Sequence, residues 1–323
     1  MTDAAAIEQA VDALRRGELV AFPTETVYGL GAAARDADAV ARLYAVKGRP
    51  AEHPVIVHLA HRAQLGSWAR DVSSVMDALA AAFWPGPLTL VVPRAPGVPD
   101  RVTGGADTVG LRVPDQPLAL ALLSAFGDGI AAPSANRFGR VSPTTAADVH
   151  ADLGDDVALV LDGGTCRVGV ESTIVDCSRD DVRILRPGAI TRAELETVVR
   201  RPVGGADDGT VRAPGTLKSH YAPSATVLLV DADTLDARAR ALVDAGHSVA
   251  VLALVAVDVP DVSRVTVLDS PRDVDDYARV LYSRLREVDA RGIDVLLAVA
   301  PPEHGIGAAV ADRLRRAAGR GRA

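Results

Sequence analysis

The chain is poor in aromatics, cysteine and lysine. Only 3% of its 323 residues are Phe, Trp or Tyr, so a core has to be assembled mainly from Ala, Val and Leu. The two cysteines, Cys166 and Cys177, lack metal-ligand spacing and have no His pair beside them. This argues against a zinc finger or disulfide framework and suits a reduced, cytoplasmic setting. No apolar run approaches the ~20 residues needed to cross a bilayer. The opening MTDAAAIEQAVDALRRGE is amphipathic with early acids, unlike a signal peptide. Neither GxxxxGKS/T nor GxGxxG occurs, so the two common nucleotide signatures are missing. With a net charge of −7, the chain as a whole is not built to grip nucleic acid.

What is present concentrates between Ala21 and Leu59. An apolar run, Leu19 to Phe22, stops at Pro23 and enters a turn rich in hydroxyls and glycine: Thr24, Glu25, Thr26, Tyr28, Gly29, Gly31. Asp36 or Asp38 then caps a helix with Val40, Leu43, Tyr44 and Val46 on one face. That helix delivers Lys47 and Arg49 around Gly48, just before Pro50. A strand, Val55 to Leu59, follows and contains His58. Two cations on a short turn, facing hydroxyls, suit a phosphate-bearing ligand. They are equally the cations that a helix C-terminus favours.

The rest reads as mixed α/β. Helices are expected near Ala5–Arg16, Ala63–Ala69, Ser74–Trp84, Pro117–Phe126, Thr144–Leu153 and from Thr191 to Val199. Strands are expected at Leu88–Pro93, Val109–Val113, Gly129–Pro133, Val157–Leu161, Ser172–Cys177 and Val182–Leu185. The aperiodic stretch RPVGGADDGTVRAP, Arg201 to Pro214, marks a domain boundary. Beyond it the pattern is plain β-α-β, which predicts a small parallel sheet flanked by helices. The expected division is residues 1–202, a linker at 203–224, and residues 225–323.

Several blocks resemble the threonylcarbamoyl-AMP synthase family, the larger relatives of YrdC-like proteins. PTETVYGLGA, the Lys47-x-Arg49-Pro50 turn and the His58 strand come in the family's order. WPGPLTLV, TVGLRVP, APSAN, GVESTIVD, LRPG, PGTLKSHYAP and HGIGAAVADRLRRAA follow, so the likeness covers nearly the whole chain. It implies a YrdC-like catalytic domain of mixed twisted sheet, a linker folded over the cleft, and a smaller Rossmann-like domain. It also implies an enzyme that joins L-threonine, bicarbonate and ATP into threonylcarbamoyl-AMP, releasing pyrophosphate, for a modification of adenosine in tRNA. Mg²⁺ is expected with ATP, and a tRNA threonylcarbamoyltransferase complex as the recipient. Direct nucleic-acid binding is expected to be weak or absent, and no membrane is involved.

The resemblance assigns residues one by one. Lys47 and Arg49 are the catalytic phosphate clamp. Thr26, His58, Arg112, Ala132 and Ser172 are expected to contact threonine. His53, Thr108, Ser134, Asn136, Ser142, Arg186 and Tyr221 are expected to contact ATP. Each has a plainer reading. Thr24 and Thr26 also suit their own turn backbone. A lone His among Ile, Val and Leu suits a core. Arg112, between apolar neighbours in a strand, needs a partner, which a structural salt bridge would provide as well as a threonine carboxylate. Ser142 suits a helix cap, and Arg186 a surface. In the linker, Thr216-Leu217-Lys218-Ser219 stands where relatives usually have Met and more basic residues. Two other functions compete: a carbamoyl-AMP-forming relative, which would carry zinc-binding segments, and a non-enzymatic RNA-binding module.

Overall fold

The computed structural model describes residues 3–205, 214–215, 221–254 and 264–319. The chain divides into two compact units. One comprises Met1–Phe138 and Ser142–Thr216, the other Gly139–Val141 and Leu217–Ala323. Much of the expected linker, Lys218 and His220 included, lies outside the described residues.

The first unit contains strands β1 (Val20–Phe22), β2 (Gly29–Ala33), β3 (Ile56–His58), β4 (Leu88–Pro93), β5 (Thr108–Arg112), β6 (Ile130–Ala131), β7 (Leu159–Val160), β8 (Thr173–Asp176) and β9 (Arg183–Arg186). Its helices are α1 (Asp3–Arg15), α2 (Ala37–Lys47), α3 (Leu65–Trp68), α4 (Ser74–Phe83), α5 (Asp100–Thr103), α6 (Pro117–Phe126), α7 (Ala146–Leu153) and α8 (Arg192–Val199). The strands form one mixed sheet in the order β7-β1-β2-β6-β3-β5-β4-β8-β9. Side chains alternate across it, as period-2 geometry requires. Val20 and Phe22 join Val11 and Leu14 of α1 and Leu122 and Leu123 of α6 on one face. Leu19 and Ala21 join the larger core, with Val40, Leu43, Trp68 and Leu79, on the other. Each such apolar side chain taken from water contributes roughly 1.5–3 kcal/mol before the entropy of ordering it is set against the gain.

One expectation is corrected. Gly29 to Ala33 is not turn but strand β2, paired antiparallel to β1 with Val20 opposite Gly31. Small residues made it read as a turn, and the packing needs them small. A Cβ at Gly31 would lie 2.9 Å from the Phe22 ring and 3.0 Å from Ile130.

The second unit contains β10 (Thr226–Leu229), α9 (Leu235–Asp244), β11 (Val249–Leu252), β12 (Val265–Val267), α10 (Val274–Ala290), β13 (Val295–Ala298) and α11 (Gly307–Ala318). Its sheet is parallel throughout, in the order β10-β13-β11-β12. β12 was not visible in the sequence pattern. It is a three-residue strand with no buried side chain.

Candidate active site

The turn after β1 is organised by its own first hydroxyl. Thr24 Oγ1 donates to the Val27 carbonyl at 2.6 Å and accepts from the backbone N–H groups of Thr26 and Val27 at 3.2 Å. For Thr24 the plain turn reading holds. Thr26 is different: it accepts from Arg112 Nη1 at 2.9 Å, across 86 residues of sequence.

Register explains how Arg112 and His58 meet. β3 and β5 run parallel with His58 beside Arg112. Both are buried. The Arg112 guanidinium lies 2.7 Å from Glu25, and the side chains are 4% and 1% exposed. The contact is an ion pair without the angle of a hydrogen bond: neither Glu25 oxygen accepts one among the described residues. Nε of Arg112 donates to the Gly86 carbonyl at 3.3 Å. So the structure contains the salt bridge that the sequence left as an alternative, and it sits against the hydroxyl turn. Burial, then the nearby Arg112 charge, pushes His58 down to about 3. At neutral pH it is an uncharged imidazole and a weak base. Its ring edge meets Phe22 at 5.9 Å, and Nδ1 has no hydrogen bond among the described residues.

Lys47 is the last residue of α2, which Asp36 caps at its start through the N–H groups of Asp38 and Ala39. Gly48 closes the helix at φ 63, a left-handed conformation that glycine adopts without strain. The chain therefore turns sharply, and Lys47 points inward rather than into solvent. It is 3% exposed. Its Nζ donates to the carbonyls of Ser134, at 2.6 Å, and Asn136. This joins the cation turn to APSAN. Burial foremost, then Arg49, holds the ammonium well below the ordinary lysine range. Arg49 caps a neighbouring loop, donating to the carbonyls of His53 (3.2 Å) and Pro54 (2.8 Å). Its guanidinium also lies over the Phe138 ring, against which the His53 ring tilts.

A further buried cation, Arg186, belongs to the same unit. Arg186, at the end of β9, is 3% exposed and holds Ser172 twice: Nη2 donates to its carbonyl at 3.0 Å and to its hydroxyl at 3.2 Å. The surface reading of Arg186 is overturned. Ser172 Oγ also shares a 2.8 Å bond with Thr89. A Cβ at Gly188 would collide with the backbone of Ser172 and Thr173, so LRPG can cross there only with glycine. Ser142 does not cap α7, since Thr145 does. Its hydroxyl donates to Glu171 at 2.7 Å instead, both groups being buried.

Other expected residues are placed as follows. The Ala132 N–H is committed to the Ile56 carbonyl at 2.8 Å, so any main-chain offer to a ligand falls to its carbonyl. Asn136 is buried and donates to the Arg137 carbonyl. Thr108 opens β5 and Arg112 closes it, about 13 Å apart at strand rise. These two are therefore not one cluster. Tyr221 falls in the second unit, where its ring stacks on Tyr282 at 5.6 Å and under the Arg313 guanidinium. Glu25 and Glu171, the acids nearest the site motifs, have no ligand role assigned from the sequence. The available signal was an acid set inside a buried, hydroxyl-rich turn, where it must have a partner. Among the described residues no three His, Cys, Asp or Glu side chains gather as a metal site, and no helix is long and apolar enough to cross a membrane.

Comparison with known proteins decides the family. The model described as "Telomere recombination" (Sua5_yciO_yrdC) matches residues 12–188, and "Threonylcarbamoyl-AMP synthase, C-terminal domain" matches residues 190–319. A threonylcarbamoyl-AMP synthase of Pyrococcus abyssi is 42% identical over 317 residues, 95% of this chain and 92% of that protein. This chain belongs to the threonylcarbamoyl-AMP synthase family. The Bacillus subtilis member is 40% identical, covering 97% of this chain and 93% of its own. The crystal structure of P. abyssi Sua5 complexed with L-threonine superposes with a TM-score of 0.90, at 41% identity, over 97% of this chain and 94% of that one. As a member, the chain is a nucleotidyl-transfer enzyme that makes threonylcarbamoyl-AMP for tRNA modification. The second family model begins at residue 190, before the boundary expected at 202.

Proposed function

We propose that the first unit binds L-threonine, bicarbonate and Mg-ATP and carries out both chemical stages. The amine of threonine takes up the bicarbonate carbon with loss of water, giving a carbamate. A carbamate oxygen then bonds to the α-phosphorus, the bond from that phosphorus to the bridging oxygen breaks, and pyrophosphate leaves with that oxygen. The supporting observation is the burial of separate cations within one polar interior: Arg112 beside Thr26 and Glu25, Lys47 on Ser134 and Asn136. The P. abyssi relative whose crystal structure is complexed with L-threonine shares this fold along nearly its full length.

In this reading Arg112 and Thr26 receive the threonine carboxylate, with Ser172, Ala132 and neutral His58 as further contacts. Glu25, whose oxygens accept no hydrogen bond among the described residues, faces the amine and, as general base, takes up the proton that the amine loses when the carbamate forms. Lys47 and Arg49 clamp the phosphates. A polyanion beside Lys47 offsets the burial that depresses its pKa, so charge and ligand arrive together. Ser134, Asn136, Ser142 and Arg186 border the nucleotide, and His53 supports Arg49. Mg²⁺ enters as part of the substrate, held mainly by phosphate oxygens. The product is passed to a transferase that modifies tRNA in the cytoplasm.

The test is pyrophosphate release from the pure protein with ATP, Mg²⁺, bicarbonate and each amino acid in turn. Release is expected only when threonine and bicarbonate are both present. Release indifferent to threonine would remove this reading.

A further inference from the structure

The second unit has a crevice that the catalytic reading does not use. β10 leaves through α9 to β11, passing over β13, which lies between them in the sheet. α9 buries Leu235 and Ala239 on the sheet face that carries Val249, Val251, Val295 and Leu297. β13 leaves through α11, which returns to pack on β10 and on α10. The right-handed crossovers β10-α9-β11 and β12-α10-β13 run in opposite directions across the sheet, which puts α9 and α10 on opposite faces, and α11 packs on α10. The neighbouring strands β10 and β13 therefore send their following segments apart, which is the topological switch point at which open parallel sheets bind ligands.

A cavity of about 720 Å³ opens there. Leu229 from the end of β10 and Val299 after β13 form its floor, and Ala237 and Ala241 of α9 form a low wall. Leu229 is one of three large apolar side chains left exposed among the described residues. Both alanine positions of α9 carry only a methyl group. Two charged side chains line the space, Asp231 and Arg238. Among the described residues neither has an ion-pair partner, whereas Asp236 and Arg240 of the same helix pair with each other at 3.0 Å. Thr234 makes no side-chain cap on α9, its hydroxyl donating to the Asp231 carbonyl instead. Among the described residues no side chain caps the first turn of α9, and Thr234 at its start lines the cavity together with Arg238.

We propose that this crevice binds a nucleoside monophosphate. The base lies in the slot between Leu229, Val299 and the two alanines. Ribose hydroxyls donate to Asp231. The single phosphate meets Arg238 and the α9 amides. The site stands apart from the proposed catalysis and does not depend on it.

AMP titrated calorimetrically into the full chain tests this, with adenosine and inorganic phosphate as companion probes. Two equivalents of AMP are expected, because the catalytic unit takes an adenylate as well. Ala241→Trp, which fills the slot from an exposed helix position, is expected to leave one. Arg238→Glu is expected to weaken that second AMP at least tenfold and to leave adenosine binding unchanged. Lys47→Met should remove only the catalytic equivalent. A wild type that takes one AMP, lost in Lys47→Met and kept in Ala241→Trp, overturns the crevice site while leaving the catalytic reading standing. One equivalent lost only in Ala241→Trp supports the crevice and counts against the catalytic reading. Phosphate binding there as tightly as AMP, with no adenosine binding, overturns the nucleoside assignment.

Discussion

The two units treat buried charge in opposite ways. In the first, Lys47, Arg49, Arg112, Arg186, Glu25 and Glu171 are all buried, together with a set of threonine and serine hydroxyls. In the second, the buried polar or charged residues among those described are Asp276 and Arg313. Others of its ion pairs are exposed, as in Arg240 with Asp236. Burying a charge costs several kcal/mol unless it is paired and hydrogen-bonded. A fold bears that cost where chemistry needs preorganised charge in a dry place. The contrast is the energetic argument for the proposed siting of the reaction in the first unit. It leaves the second unit with a mainly apolar core that holds two buried charges, Asp276 and Arg313.

Arg112→Ala should break the contrast most severely. It leaves Glu25 buried without its cation, and a loss of about 3–5 kcal/mol in denaturant-measured stability is expected. The double variant Arg112→Met with Glu25→Leu should recover most of that stability and none of the threonine affinity. Recovered threonine binding would make the pair structural only. Lys47→Met comes next. It keeps the stem and removes the charge, so pyrophosphate release should fall about 10²–10³-fold while circular dichroism is unchanged. Undiminished release would remove the clamp. Lys47 is one of two lysines in a chain with 35 basic residues, and an ammonium is a point charge that arginine does not reproduce, so Lys47→Arg should not rescue it.

A smaller effect concerns pH. His58 is held at about 3 in the fold against about 6.5 unfolded. The unfolded chain then binds the extra proton across that window, so stability falls as pH drops from 6.5 towards 3. The slope is about 1.4 kcal/mol per pH unit. Urea melts of His58→Asn should lack that slope, and equal slopes would contradict a buried neutral imidazole. Smallest of all, Arg240→Ala in the second unit should cost about 0.5 kcal/mol or less, because the pair is exposed and adjacent on one helix. A cost of several kcal/mol would mean that the second unit also relies on charge for its stability.

Legibility followed distance along the chain. The bounds of α6 and α8 were readable, as was the span of β4, because caps, prolines and apolar spacing act within a turn or two. β2 read as a turn and β12 was missed, since glycine-rich or exposed three-residue strands become strands only through their partners. The site divides in the same way. Lys47 and Arg49 stood out from their own turn, yet the inward direction of Lys47 depends on Gly48 and on carbonyls 87 and 89 residues away. The tie of Glu171 to Ser142 and that of Arg186 to Ser172 had no local signal at all.

The sequence by itself determined the periodic elements, the family, the two-part organisation and the identity of most polar residues in the interior. Those depend on covalent order, on local backbone preference and on motifs that lie within a few residues. Only the tertiary structure decided which charge faces which. It put His58 beside Arg112 by strand register, made Glu25 the partner of Arg112, separated Thr108 from Arg112 by the length of β5, and opened the crevice between β10 and β13. The reason is physical. Pairing energies between buried charges depend on distances of a few ångströms, and sheet pairing between remote segments sets those distances.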